Sequence, residues 1–296
     1  MILVPQRLFS SPHVRTLARR ENHCILHKAM PESLEGREAY VANHVVSLVL
    51  KGRQRIETYE EDLVGAGPGE VLFLPRGLYY VTDLISGPRG TFESLLFYFD
   101  DDAIQRFLAD VSVTEVDRDA APEYLKFRAS PVLRQFVAST LALAENGQLT
   151  GALLKIKTNE LLHLLHGLSE SKAFAEFLFR LTLPRRRNLG QFMEHNFRKP
   201  LGVEDFAYLT GRSVSSFRRD FRSHYATTPN KWLRQRRMRA AAAALDVAEM
   251  SVADLSLSVG YENVSYFIRE FRNVNGLSPK QYMLARRGMA PPPADA

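Results

Sequence analysis

Two stretches of the chain repeat each other. Ser213 to Trp232, SVSSFRRDFRSHYATTPNKW, and Asn263 to Tyr282, NVSYFIREFRNVNGLSPKQY, align at an offset of 50 residues and are identical at 7 of 20 positions. Several of the other pairs are near matches, among them Asp220 with Glu270, Thr228 with Ser278 and Trp232 with Tyr282. A repeat fixes the architecture around it, because the same residue pattern must solve the same packing problem twice. In each copy two phenylalanines stand four apart, Phe217 and Phe221 or Phe267 and Phe271, which stacks them on one face of a helix. The other face carries Ser215, Ser216, Arg218, Arg219 and Arg222 in the first copy. In the second it carries Ser265, Tyr266, Ile268, Arg269 and Arg272.

The flanking residues complete the unit. Val203 to Thr210 predicts a helix with Phe206, Ala207 and Leu209 inward, Thr210-Gly211-Arg212 a tight turn, and Ser213 the N-cap of the next helix. Helix, glycine turn, helix is the helix-turn-helix arrangement, whose second helix enters the major groove. The second copy follows the same plan. Ser251 and Asp254 read as a capping box, Leu255, Leu257 and Val259 lead to Gly260-Tyr261-Glu262, and Asn263 caps the second reading helix. Pro229 to about Leu245 predicts a long spacer helix with Pro229 in its first turn, a basic run (Arg234, Arg236, Arg237, Arg239) and alanines 240–244 for close packing. A helix over about Leu189 to Asn196, stopped by Pro200, precedes the first unit, and Ser278-Pro279 opens a last one.

Charge follows the same division. Residues 185–296 hold 19 Lys+Arg against 10 Asp+Glu, whereas residues 1–184 hold 20 against 23. A basic C-terminal part on a slightly acidic N-terminal part is the electrostatic footprint of a polyanion-binding protein. The single cysteine, Cys24, excludes an intrachain disulfide and reads as a small core residue. The N-terminus is broken by Pro5 and Arg7 and does not read as a signal peptide, and no apolar run approaches the ~20 residues that span a bilayer. The expectation is a cytoplasmic protein with no membrane partner.

The first half reads as α+β. Short apolar or alternating runs between about Glu21 and Phe99, such as VVSLVL within His44 to Leu50, are separated by Lys51-Gly52, the Gly65 to Gly69 cluster, Arg76-Gly77 and Ser86-Gly87-Pro88. Closely spaced strands of this kind predict a small barrel or sandwich. Its interior either encloses a small molecule or is filled by its own side chains, with Phe73, Tyr79, Phe92, Phe97 and Phe99 as candidates. Asp100, Asp101 and Asp102 crowd the start of a predicted helix, where carboxylates favour the N-terminal dipole. Pro131 to Ala144 and Ala152 to Leu168 show helical spacing, through Val132, Leu133, Phe136, Val137 and Leu141 and through Leu154, Ile156, Leu161, Leu162 and Leu165. The second would bury against the barrel or against another copy of the chain. His163 and His166 within it lack neighbouring carboxylates and read as ordinary helix residues rather than a metal pair.

The segment Gly69-Glu-Val-Leu-Phe-Leu-Pro75-Arg-Gly77-Leu-Tyr-Tyr80 resembles the second motif of the cupin barrel, with Tyr80 where a metal-binding cupin has histidine. His13, His23, His27 and His44 are scattered, so no metal or other cofactor is expected. From about Leu189 to Arg287 the chain resembles the DNA-binding domain of AraC/XylS-type transcription regulators. The resemblance rests on Gly260-Tyr-Glu-Asn-Val-Ser-Tyr-Phe-Ile-Arg-Glu-Phe271, Gly276-Leu-Ser-Pro279, and Arg237, Met238, Ala241 and Leu245 in the linker helix. Ser256 departs from it, where that family has alanine. Leu48 to Phe107 and the run Leu154 to Leu162 resemble, more loosely, the N-terminal domain of ExsA-type regulators, activators controlled by a protein antagonist.

The residue patterns and these resemblances together give a cupin-like β-barrel (about 21–100) with flanking helices (about 101–180), a linker at 181–188, an all-α DNA-binding domain at 189–287 and a disordered tail at 288–296. The resemblances imply a sequence-specific regulator, an activator rather than an enzyme, with double-stranded promoter DNA and RNA polymerase as partners. The first domain would form a homodimer and take a small-molecule effector or a regulatory protein. By position in the family motif, base contacts fall to Ser215, Arg218, Arg219, Val264, Ser265 and Arg269, and phosphate contacts to Ser213, Arg222, Lys231 and Arg272. With two adjacent arginines, the first reading helix is expected to supply more of the polar reading. The alternatives are a non-specific architectural DNA binder and a cupin-type enzyme.

Overall fold

The structure is a computed structural model that describes residues 1–286 apart from 22, 59–61, 88–89, 112, 114–121, 169–170, 184–185 and 248–249. The tail expected to be disordered, with Pro88, Pro184 and Arg185 of the predicted turn and linker, lies outside the described residues. The chain divides into two compact units, Met1–Leu183 and Pro184–Ala296.

The first unit is built on two facing sheets. One contains β1 (Ile2–Val4), β4 (Leu34–Val41), β9 (Gly77–Leu84), β6 (Arg53–Thr58) and β7 (Leu63–Ala66), in that order. The other has the order β11 (Leu125–Arg128), β8 (Glu70–Leu74), β5 (His44–Lys51), β10 (Phe92–Phe99), β3 (His23–Met30), β2 (Val14–Arg20). Every pairing is antiparallel except β1 with β4. Strands therefore begin well before residue 21, and β11 joins from beyond the first helix. Gly52, with φ of +78°, makes the β5–β6 turn; a Cβ there would lie 2.4 Å from the Leu84 carbonyl oxygen, so only glycine fits.

The six-stranded sheet is buried on both faces, which explains its unbroken apolar runs. Cys24, Leu26, Leu72, Leu74, Phe92, Leu96 and Tyr98 point between the sheets. Their neighbours Ile25, Val46, Phe73, Phe97 and Phe99 point the other way, into a core shared with helices. Of the five rings expected to fill the interior, only Tyr79 and Phe92 do so; strand alternation puts Phe73, Phe97 and Phe99 on the helix side. The helices are α1 (Asp101–Asp110), α2 (Pro131–Glu145), α3 (Gly151–Leu168) and α4 (Ser171–Leu181). Asp100 caps α1, accepting from the Ala103 amide at 3.1 Å. His44 Nδ1 accepts from the Arg76 amide at 3.2 Å, so its Nε2 donates to Asp101 at 2.8 Å. Val132 and Ile156, expected on the buried faces of α2 and α3, are instead 55% and 59% exposed.

Between the sheets lies a cavity of about 60 Å³ lined mainly by aliphatic side chains. Its polar wall is one network: Lys28 donates to Asp83, Gln54 Nε2 donates to Asp83 at 2.9 Å, and Ser47 donates to Gln54 at 2.8 Å. Asp83 is fully buried, and these bonds offset the cost of burying its charge. Cys24 is fully buried, and burial pushes its thiol up to about 12, the state of an inert core residue. Tyr80 lies on the outer face, 46% exposed, away from the interior where a cupin metal ligand would stand.

Candidate nucleic-acid interface

The second unit is wholly helical among the described residues. Its elements are α5 (Leu189–Asn196), α6 (Val203–Leu209), α7 (Val214–Tyr225), α8 (Pro229–Val247), α9 (Val252–Ser258), α10 (Val264–Asn275) and α11 (Pro279–Arg286). The caps are those read from sequence: Ser213 accepts from the Ser216 amide at 3.2 Å, and Asn263 from the Tyr266 amide at 2.8 Å. Ser251 and Asp254 cap α9, the Asp254 amide donating to the Ser251 hydroxyl at 3.0 Å. The duplicated aromatics make duplicated cores. Phe217 and Phe221 lie 5.5 Å apart, with Phe221 edge-on to Trp232 at 5.7 Å; Phe267 and Phe271 lie 5.8 Å apart, with Phe271 edge-on to Tyr282 at 5.6 Å. All four phenylalanines are fully buried.

With those rings buried, the opposite faces of α7 and α10 are left to solvent. Ser213, Ser215, Arg218, Arg219 and Arg222 are exposed on the first copy; Ser265, Arg269 and Arg272 are exposed on the second, with Val264 half-buried. Tyr266 and Ile268 are exposed beside them. Lys231, at the start of α8, is exposed as well. Apart from Lys231 on α8, the predicted contact residues thus sort onto α7 with its N-cap and onto the matching face of α10.

The two faces hold their arginines differently. Arg218 lies 4.0 Å from Glu204 of α6, and Arg219 lies 3.6 Å from Asp220. Asp220 also accepts from Arg212 Nε at 3.0 Å, and this hydrogen bond, with the nearby arginines, holds its carboxyl below the usual range. Arg269 has no carboxylate partner among the described residues; its guanidinium lies over the Tyr266 ring, 5.0 Å from the centroid. Arg222, Arg272 and Lys231 are exposed and have no ion-pair partner among the described residues. Leu257, in the helix before the second turn, is 60% exposed.

The segment before α5 is tied to the first turn. The Arg187 amide donates to the Thr210 carbonyl at 3.2 Å, and Arg212 donates to the Arg187 carbonyl at 3.0 Å. The spacer helix is not a free basic surface either. Arg234 pairs with Glu270 at 3.7 Å, Arg236 with Glu194 at 2.8 Å, and Arg237 is buried. The sequence carried no sign of these last pairings, because a surface and a buried arginine look alike in a basic run.

Comparison with known proteins agrees with this geometry. Residues 44–177 match the ExsA N-terminal regulatory domain, and residues 206–285 match a helix-turn-helix domain. The chain is an AraC/XylS-family regulator with an ExsA-like N-terminal domain. It is 28% identical over 238 residues to the virulence regulon transcriptional activator VirF of Yersinia enterocolitica, covering 78% of this chain and 83% of that protein. It is 27% identical over 236 residues to the HTH-type transcriptional regulator ExsA of Pseudomonas aeruginosa, covering 80% and 84%. Among solved structures, unsaturated fatty acid-bound ToxT of Vibrio cholerae aligns with a TM-score of 0.40 at 10% identity, covering 90% of this chain and 96% of that one. The relatives are regulators with helix-turn-helix domains, and the cupin-enzyme alternative falls with that. No described helix is long and apolar enough to cross a membrane.

Proposed function

We propose that the chain is a cytoplasmic transcription activator that binds promoter DNA sequence-specifically, seating α7 and α10 in successive major-groove segments on one face of the duplex, about 34 Å apart. The observation that carries this reading is the pair of N-capped helices whose buried aromatic faces repeat while their exposed faces bear arginines. Ser215, Arg218, Arg219, Val264, Ser265 and Arg269 take the base edges. A guanidinium can grip guanine O6 and N7 together, and the Val264 side chain can meet a thymine methyl; one good bidentate pair gives about 1–3 kcal/mol of discrimination. Ser213, Arg222, Lys231 and Arg272 meet phosphates and set register. RNA polymerase is the partner that an activator must reach.

Regulation falls to the first unit, through a homodimer and an effector or antagonist protein. The exposed Val132 and Ile156 of α2 and α3 favour a protein contact there. Selecting binders from random-sequence duplexes with the full chain tests the reading. One enriched sequence, preferred ~10³-fold or more over scrambled duplex at physiological salt, supports it. Equal binding to every duplex, falling with salt alike for all, shows a non-specific binder instead.

A further inference from the structure

The two reading helices are useful together only if their spacing is held. A single helix between them, α8, fixes the distance along its own axis but leaves each end able to rock. The structure supplies a second tie. Arg237, in the middle of α8, is 9% exposed, and its guanidinium is spent on the loop joining α5 to α6. Its Nε donates to the Phe197 carbonyl at 2.6 Å, and its Nη2 to the carbonyls of Lys199 at 2.6 Å and Leu201 at 3.3 Å. That loop leads directly into the first helix-turn-helix.

The same guanidinium faces the second one. Its Cζ lies 5.6 Å from the centroid of the Tyr261 ring. Tyr261 sits in the α9–α10 turn, which Ser256 pins by donating to the Tyr261 carbonyl at 2.8 Å while the Tyr261 amide donates to the Ser256 carbonyl at 3.0 Å. Just before it, Gly260 has φ of +84°, and a Cβ there would stand 2.4 Å from the Arg198 carbonyl oxygen. The turn of the second helix-turn-helix therefore rests backbone against backbone on the loop that leads into the first. No carboxylate among the described residues faces Arg237, and burial lowers its pKa; an arginine nonetheless keeps its charge. A buried cation satisfied only by carbonyls of one loop is a costly arrangement unless the geometry it enforces is used.

We propose that Arg237 and Gly260 form a lock that holds the two helix-turn-helix units as one rigid body and so sets the spacing of half-sites the protein accepts. The proposal rests on the DNA-reading function above. Arg237 is a positioning residue, touching neither base nor phosphate. Lysine has its donors on one nitrogen and cannot reproduce the planar fork by which Arg237 reaches Phe197 from Nε and Lys199 and Leu201 from Nη2, so Arg237→Lys opens the lock while keeping the charge, and Gly260→Ala opens it from the other side.

The test uses the full chain and two readouts. Spin labels at Ser223→Cys and Asn273→Cys, exposed and equivalent in the repeat, report the distance between α7 and α10; the native Cys24 is buried. The lock predicts one narrow distribution, broadened by Arg237→Lys and by Gly260→Ala. On duplexes carrying the sequence selected above, Arg237→Lys should bind the full site ~10-fold or more weakly and a single half-site within about twofold, as loss of a rigid tether requires. It should also tolerate one inserted base pair between half-sites that the unaltered chain rejects. Unchanged distance widths in both variants overturn the lock, whatever happens to DNA binding. Broadened widths with unchanged full-site affinity, or equal losses on full site and half-site, overturn it too. If the unaltered chain selects no sequence, the DNA-reading proposal fails, while the distance widths still judge the lock.

Discussion

Tyr266→Ala probes how the second reading helix presents its arginine. The Arg269 guanidinium lies 5.0 Å from the Tyr266 ring centroid and is not drawn to any carboxylate among the described residues. At an exposed site such a contact contributes about 0.5–1 kcal/mol, which converts to a ~2–5-fold loss of affinity when the ring is removed. Arg269→Ala removes the proposed base contact itself, at about 1–3 kcal/mol, a ~5–150-fold loss. If the ring acts by holding the guanidinium, the double variant is no weaker than Arg269→Ala alone, and Tyr266→Phe binds like the unaltered chain. The assay is fluorescence anisotropy on the selected duplex and on duplexes altered at each base in turn, at one fixed salt concentration. Tyr266→Ala should blunt the same base preference that Arg269→Ala abolishes. Additive losses in the double variant, or a changed preference at a different base, would refute the reasoning and give Tyr266 a DNA contact of its own.

Three further expectations follow from the same structure. Arg222→Ala and Arg272→Ala each remove an exposed cation that has no ion-pair partner among the described residues, so each should weaken all duplexes alike and lower the slope of log K against log salt by ~0.9, read from a salt titration. Ala226 caps α7 at φ of +52° where its repeat partner Gly276 caps α10 at φ of +80°; Ala226→Gly relieves a left-handed alanine and should raise stability by about 0.5–1 kcal/mol in urea unfolding. Burial pushes the His23 imidazole below its ordinary 6.5, with Asp100 pulling the other way, and its Nε2 lies 2.9 Å from the Thr158 hydroxyl. The unfolded chain therefore takes up this proton first as pH falls, so stability drops below pH 6.5 toward the lower folded value. Part of that drop should vanish in His23→Gln, measured as the urea midpoint against pH.

Helices α7 and α10 were legible because their signals are local. N-caps, phenylalanines four apart and a glycine in the turn act within one or two helical turns, and the repeat states each of them twice. The sheets were less legible where burial is two-sided. Phe73, Phe97 and Phe99 sit in continuous apolar runs, and nothing in such a run says which face meets the helices and which the interior. The strands before residue 21 and the strand at Leu125–Arg128 complete the sheets only through long-range pairing, so no local alternation announces them. In the second unit the same limit applies to charge. Arg237 stands among Arg234, Arg236 and Arg239 with nothing to mark it as buried, and only the fold brings the loop carbonyls and Tyr261 around it. Likewise Glu204 and Asp220 become relevant to reading only once they are seen beside Arg218 and Arg219.

Protection mapping of the selected duplex by the full chain tests the central claim most directly. Two tandem reading helices predict two major-groove patches on one face, separated by ~10 base pairs. The Arg218→Ala/Arg219→Ala pair should erase one patch and Arg269→Ala the other. A single continuous patch, or one that fades uniformly with every substitution, would contradict the account.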